Sequence, residues 1–263
     1  MVVIVPSQVN LARELRRVLG RSAARKVLPL LAPAVVLVDD PAGTSLASPP
    51  PRLPAAAVWP HWQGQPMELL LDLDLAAVQR VLADGLLPAE GHLLVFSDAG
   101  RQEPIPGGGS VEDAGSGVLG HVPPGTPTRS VQPPPDMACR AVRLGARPGW
   151  SLPSLEQRVR HALAGDYDAV WRYYKFHQAM SIAHPLRWGQ VFGQADDDDA
   201  DMVQVGKLAA AAWRDWPVRP GRWRPALTVA TELDANAELT FWLCTDVALP
   251  ERLDRPWMTL FSG

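Results

Sequence analysis

The sequence predicts an α+β fold in which two related β units, with antiparallel or mixed sheet, pack with helices around a long Gly/Pro-rich loop. Three observations predict it. Residues 226–233 are rich in Leu, Val and Thr, Asp234-Ala235-Asn236-Ala237 supplies turn chemistry, and residues 238–245 return with Leu239, Phe241, Trp242 and Leu243. β-Branched and aromatic runs bounded by Asp and Asn are the signal of a hairpin. A looser copy stands earlier, in residues 66–75 and 91–98, and both copies carry acid-Leu-Asp, as Asp72-Leu73-Asp74 and Glu232-Leu233-Asp234. Between and around them lie stretches with helical spacing.

In chain order, Ser7 caps a helix over 8–19 that Gly20 ends. Its Leu11, Leu15 and Val18/Leu19 share one face and Arg13, Arg16 and Arg17 fall elsewhere, so it docks by an apolar stripe, the arginines being read as a solvent face and, alternatively, as a partner or membrane surface. Val35 to Val38 is a strand. Residues 41–60, dense in Pro, Ala and Ser, read as an extended packed loop anchored by Trp59 and Trp62. Residues 75–82 form a helix within the first β unit, stopped at Asp84-Gly85. Residues 100–136 read as a flexible surface loop, and no GxxxxGK[ST] makes its glycines a phosphate loop. Residues 138–144 form a strand. A capping box, Ser154 to Gln157, opens a helix to about Ala164, and Asp166 caps the next, over 167–182. The stripe Tyr167, Val170/Trp171, Tyr174 and His177/Gln178 is read as its core face. A third helix covers 202–216, and the apolar tail 250–263 packs on a sheet face.

With 263 residues, 47% of them hydrophobic, the chain can bury a sizeable core, read here as one domain over 1–263 with 1–39 its N-terminal helix and strand. The 27 Pro and 21 Gly call for many turns. A net charge of −3 gives no overall basic excess for nucleic acid or an anionic membrane, so neither is expected as a partner. Cys139 and Cys244 sit in apolar contexts outside any CxxC, which reads as two buried reduced thiols. The start lacks a basic leader region and the longest apolar run is broken by Pro29 and Pro33, so a cytoplasmic location is expected.

One order of motifs is familiar. Leu53-Pro54 and Trp59-Pro60 are followed by Gly64, the strand Leu69 to Leu75, Leu87-Pro88, Gly91-His92-Leu93-Leu94-Val95-Phe96, Phe192-Gly193-Gln194-Ala195-Asp196, Met202 and the hairpin. In that order they resemble the YwqG-like family of bacterial proteins of unknown function, over about residues 40–263 and weakly in 100–140. The chain departs from the family pattern at Asp72 and Glu232, where glutamine is usual, at Ala47-Ser48 in place of Gly-Gly, and at Gln190 in place of His. The resemblance implies an α+β fold of β units against helices and no established activity. That some relatives lie near toxin genes implies an immunity or adaptor role.

The search for chemistry centres on acids. Asp72, Asp74, Glu232 and Asp234 are the candidate catalytic residues, since the repeat would place them at equivalent strand ends, and paired carboxylates do acid–base work when their pKa values are driven apart. The competing reading makes Asp74 and Asp234 turn caps. Asp196, Asp197, Asp198, Asp199 and Asp201 read as an acidic helix cap and, alternatively, as a partner-binding patch. An EF-hand from Asp196 would need Gly and Glu where Asp201 and Lys207 stand. The six histidines form no HxH or HExxH, so no metal site and no cofactor is expected. No GxSxG elbow is present. The resulting expectation is a non-catalytic binding or adaptor protein with a protein partner, toxin neutralisation being its more specific form. The alternative is an enzyme built on the four strand-end acids.

Overall fold

A computed structural model describes residues 3–4, 8–50, 52–98, 117–133, 140–153, 158–183, 188–194, 223–230, 237–249, 251–254 and 256–262. In chain order its strands are β1 (Val3–Ile4), β2 (Ala32–Asp39), β3 (Ser45–Ala47), β4 (Arg52–Pro54), β5 (His61–Trp62), β6 (Gln65–Pro66), β7 (Glu68–Asp74), β8 (His92–Ser97), β9 (Gly117–Val122), β10 (Thr128–Ser130), β11 (Val142–Ser151), β12 (Gly189–Phe192), β13 (Trp223–Ala230), β14 (Ala237–Cys244) and β15 (Trp257–Ser262). The helices are α1 (Gln8–Val27), α2 (Leu75–Val81), α3 (Arg160–Ala162), α4 (Tyr167–Ala183) and α5 (Glu251–Asp254).

One antiparallel sheet dominates, in the order β15-β14-β13-β12-β2-β11-β3-β7-β8-β9, with β1 on β11. It curls until its two ends nearly meet. Ser97 Oγ donates to Met258 Sδ at 3.3 Å, and a Cβ on Gly117 would stand 2.7 Å from the Phe241 ring. Glycine at 117 is therefore what lets the two ends of the sheet approach. The alternation of each strand fills the nearly closed barrel with Val35, Leu37, Leu71, Leu73, Leu93, Val95, Val191, Leu227, Phe241 and Leu243. Each such side chain contributes about 1.5–3 kcal/mol by leaving water. A second cluster joins α1 to α4 through Leu11, Leu15, Leu19, Tyr173 and Phe176. A third lies outside the barrel, where Leu53, Met67 and Trp59 cover Leu69, Leu94 and Phe96.

The sheet-rich α+β class stands, but the two predicted β units do not form separate bodies. Their hairpins, β7–β8 and β13–β14, belong to one sheet with four strands between β7 and β13. Four further expectations are corrected. The segment 41–60 is not all loop: β3 is a strand of the main sheet, and β4 pairs with β10. The expected loop 100–136 contains β9, whose Gly117 sits where Phe241 and Met258 come close, and the three-residue β10. The tail adds β15 to the sheet edge beside β14 rather than lying on a face. The stripe Tyr167, Val170/Trp171, Tyr174 and His177/Gln178 is core only in part: Tyr167 and Trp171 are exposed and Tyr174 is half-buried, while Val170 and His177 lie beside the buried side of α4, Ala169, Tyr173 and Phe176. An amphipathic period fixes the spacing of a face but not which face is covered.

Several local readings hold. Asp166 caps α4, accepting from Ala169 N–H at 2.9 Å, and Trp59 anchors its segment by donating to Met67 O at 2.9 Å. Gly20, at φ 81° and ψ 162°, breaks α1 as expected, and a second helical run continues to Val27. Cys244 is buried and free. Cys139, the capping box at 154–157 and the helix at 202–216 lie outside the described residues.

Candidate functional site

The site begins with a bulge. Along β7, Leu69 pairs with Phe96 and Leu71 with Val95, so Leu70 is an extra residue in the ladder. Strand side chains alternate with a period of two, and one inserted residue reverses the alternation. Leu69 thus faces outward into the third cluster, while Leu71 and Leu73 face the barrel interior. Asp72 and Asp74 are then outward-facing. Across β8 their partners are Leu94 and His92, and His92 pairs on with Val122 of β9.

The covering segment stops short of this end of the three strands. What remains is a cleft of about 450 Å³, within the roughly 300–1,000 Å³ typical of ligand sites. Asp72, Asp74, His92, Leu94 and Val122 line it from the strands, Arg52 and Thr128 from the β4–β10 ribbon, and Glu90 from the loop before β8.

Each charged group has a definite situation. His92 Nδ1 lies 2.7 Å from Asp72 Oδ1. An ionised carboxylate can only accept, so Nδ1 carries the proton and Nε2 of the neutral ring is left as an acceptor. Asp74 is the N-cap of α2: its Oδ1 accepts from Ala77 N–H at 3.1 Å, and its own N–H donates to Ser45 Oγ at 3.0 Å. Partial burial pushes its pKa up. That effect is outweighed by hydrogen bonds from the Thr44 side chain and Ala77 N–H and by the charges of His92 and Arg80, so the carboxyl titrates below its ordinary range. Among the described residues Arg52 has no carboxylate partner, and the remaining carboxylates make the cleft acidic on balance.

Of the sequence-predicted site residues, Asp72 and Asp74 come together here, and the turn-cap reading of Asp74 holds. Glu232 and Asp234 lie outside the described residues, as do Asp196, Asp197, Asp198, Asp199 and Asp201. β13, the strand that leads to Glu232 and Asp234, runs antiparallel to β7 through five antiparallel pairings. Its first residues lie near the α2 end of the barrel, where Arg224 makes a bidentate pair with Asp84 at 2.9 and 2.8 Å, and the strand runs away from there. His92, Arg52 and Glu90 were missed as a group, because only the register of β7 on β8 and of β4 on β10 brings them to one place. Among the described residues no group of three or more His, Cys, Asp or Glu could hold a metal ion. No helix there is long and apolar enough to cross a membrane.

No curated protein matches the chain. The family whose model matches residues 48–117 is described as a domain of unknown function (DUF1963). The matched stretch runs from the end of β3 to the start of β9 and contains Arg52, Asp72, Asp74, Glu90 and His92, so the part of the chain that carries most of the cleft is the part similar to this uncharacterised family.

Proposed function

We propose that the chain is a binding or adaptor protein without catalytic activity, and that the cleft beside β7, β8 and β9 receives a basic segment of a protein partner. The observation that carries this reading is the uncovered end of the outer face. There Asp72 and Asp74 stand two residues apart on one strand, with Glu90 opposite, in a cleft open enough for a side chain to enter from another molecule. A Lys or Arg side chain brings the charge these carboxylates favour, and charge-assisted hydrogen bonds are the strong ones. The motif order that resembles the YwqG-like family supports the more specific form, in which the partner is a basic toxin and the chain neutralises it. The acidic run Asp196, Asp197, Asp198, Asp199 and Asp201 adds charge of the same sign for such a partner.

The test is affinity capture from native lysate by the tagged wild type and by an Asp72→Lys/Glu90→Lys variant, with partners identified by mass spectrometry. The expected result is one stoichiometric partner with a basic contact segment, lost in the variant. Capture that charge reversal leaves unchanged would remove the cleft from the reading.

A second reading is favoured by the 2.7 Å Asp72–His92 bond. In an enzyme, Asp72 would hold His92 in the tautomer that leaves Nε2 a general base, and Arg52 would bind an anionic group of the substrate. This version uses Asp72 and His92 in place of the four strand-end acids. Its sign would be a turnover present in the wild type and absent in His92→Gln.

A further inference from the structure

A whole-chain charge of −3 conceals a strong local asymmetry. α1 holds Arg13, Arg16, Arg17, Arg21, Arg25 and Lys26 against one acid, Glu14, a net +5 on one helix. All six cations are exposed, and among the described residues only Arg17 has a carboxylate partner, Glu14 at 2.8 Å. The apolar stripe of α1 is already used, being buried against α4 through Leu11, Leu15 and Leu19. What α1 offers outward is therefore charge alone.

Its neighbour α4 offers the complement. Tyr167 is 88% exposed, Trp171 55% and Ile182 83%, on the side of the helix turned away from buried Tyr173. Three of the five large hydrophobic residues exposed among the described residues thus lie on this one helix. Arg172 Nη2 donates to Leu19 O at 3.5 Å, which sets the two helices side by side, and Lys175 Nζ stands 5.2 Å from the Trp171 ring centroid. The only acid in this part of α4, Asp168, is held by Arg172 at 2.9 Å.

We propose that the exposed sides of these adjacent helices, α1 and α4, dock together on an anionic lipid bilayer, with Tyr167, Trp171 and Ile182 entering the headgroup boundary and the α1 cations lying over anionic headgroups. Amphipathic rings bordered by long cationic side chains suit that boundary, which is wet on one side and apolar on the other. A nucleic acid would satisfy the charge but not the rest. Trp171 is already stacked on Tyr174, with ring centroids 5.3 Å apart and an interplanar angle of 21°, and an aliphatic Ile182 gives a base nothing to stack on. The inference is independent of the cleft, which lies on β7, β8 and β9.

The experiment is flotation of the full chain with vesicles of phosphatidylcholine alone and with about one third phosphatidylserine, alongside anisotropy with a labelled single-stranded oligonucleotide. The expected result is binding to the anionic vesicles only, lost in high salt. Each arginine near the surface contributes about fivefold, so Arg13→Gln/Arg16→Gln/Arg21→Gln weakens binding on the order of a hundredfold. The corresponding Lys triple variant retains it, which separates loss of charge from loss of fold. Trp171→Ala/Ile182→Ser weakens it severalfold at unchanged charge. Equal binding to neutral vesicles, no vesicle binding, indifference to the Gln triple variant, or charge-dependent binding to the oligonucleotide alone would each overturn the proposal.

Discussion

The outer face of β7, β8 and β9 has two halves built on the same strands, with the same pleat and the same twist. In one, Leu69, Leu94 and Phe96 lie beneath Leu53, Met67 and Trp59, and the Trp59 and Phe96 rings meet edge to face at 5.5 Å. In the other, Asp72, Asp74 and His92 face a cleft. Strand geometry does not separate them. The difference is the cover: Leu53, Trp59 and Met67 pack on Leu69, Leu94 and Phe96, while Asp72, Asp74 and His92 are left lining a cleft, and the chemistry of each half matches its cover. The covered half is apolar because it has been taken from water. The open half can keep charge because water, or a partner, reaches it.

That comparison can be broken most severely at the bulge. Inserting one alanine beside it, between Leu71 and Asp72, with the Leu71–Val95 pairing kept, would turn Asp72 and Asp74 into the barrel and Leu73 out of it. The expected outcome is loss of cooperative thermal unfolding by circular dichroism; retention of a sharp transition would show that the ladder takes up the added residue as a second bulge and keeps its alternation. Next in size, Phe96→Ala in the covered half costs about 3–5 kcal/mol, read from the denaturation midpoint. A cost below about 1 kcal/mol would mean that the cover collapses onto the gap or does not pack there.

Smaller effects sharpen the contrast on the open half. Asp74→Ala removes the cap of α2 and costs about 0.5–2 kcal/mol. Asp74→Asn keeps a capping oxygen and removes only the charge. Because the folded pKa of Asp74 is depressed, its ionisation stabilises the protein above the ordinary carboxylate range, and that contribution is lost as pH falls through the folded-state value. The Tm gap between wild type and Asp74→Asn should therefore be widest near neutral pH and close in acid. A gap that widened on acidification would reverse the sign of the argument. Smallest of all, Asp72→Asn should change stability by less than about 1 kcal/mol, since its pair with His92 is a partly exposed one. Its effect is expected in partner capture instead, and a variant that bound as well as wild type would leave Asp72 outside the recognition surface.

Much of the fold was legible locally. The Asp234 to Ala237 turn chemistry marks the β13–β14 hairpin, Asp166 marks a helix start, Asp74 reads as a cap in one of its two readings, and Gly20 marks the break in α1. These signals act within a few residues, so a linear reading reaches them. The covered side of α4 is legible only in part, because exposed Tyr167 and Trp171 share the spacing of the stripe with Val170 and His177, and only packing against α1 shows that Ala169, Tyr173 and Phe176 occupy the core side. β9 escaped notice because a strand with Gly117 and Gly120 carries little side-chain signal, although Gly117 is required for the sheet ends to approach. For the site, Asp72 and Asp74 were legible as a pair, being two residues apart. His92, Arg52 and Glu90 joined them only through strand register.

What the sequence by itself determined is the set of local choices: which stretches are strands, where helices begin, which residues carry charge and in what alternation. What only the tertiary structure decided is company. One sheet absorbed two hairpins that looked like separate units, a single extra residue at Leu70 set which side of β7 faces water, and the end of a covering loop left Asp72, Asp74 and His92 in a cleft. The physical reason is that propensity and periodicity act over a few residues, whereas register, burial and charge pairing depend on segments far apart in the chain, such as Arg224 and Asp84 or Ser97 and Met258, being brought into contact by the shared core.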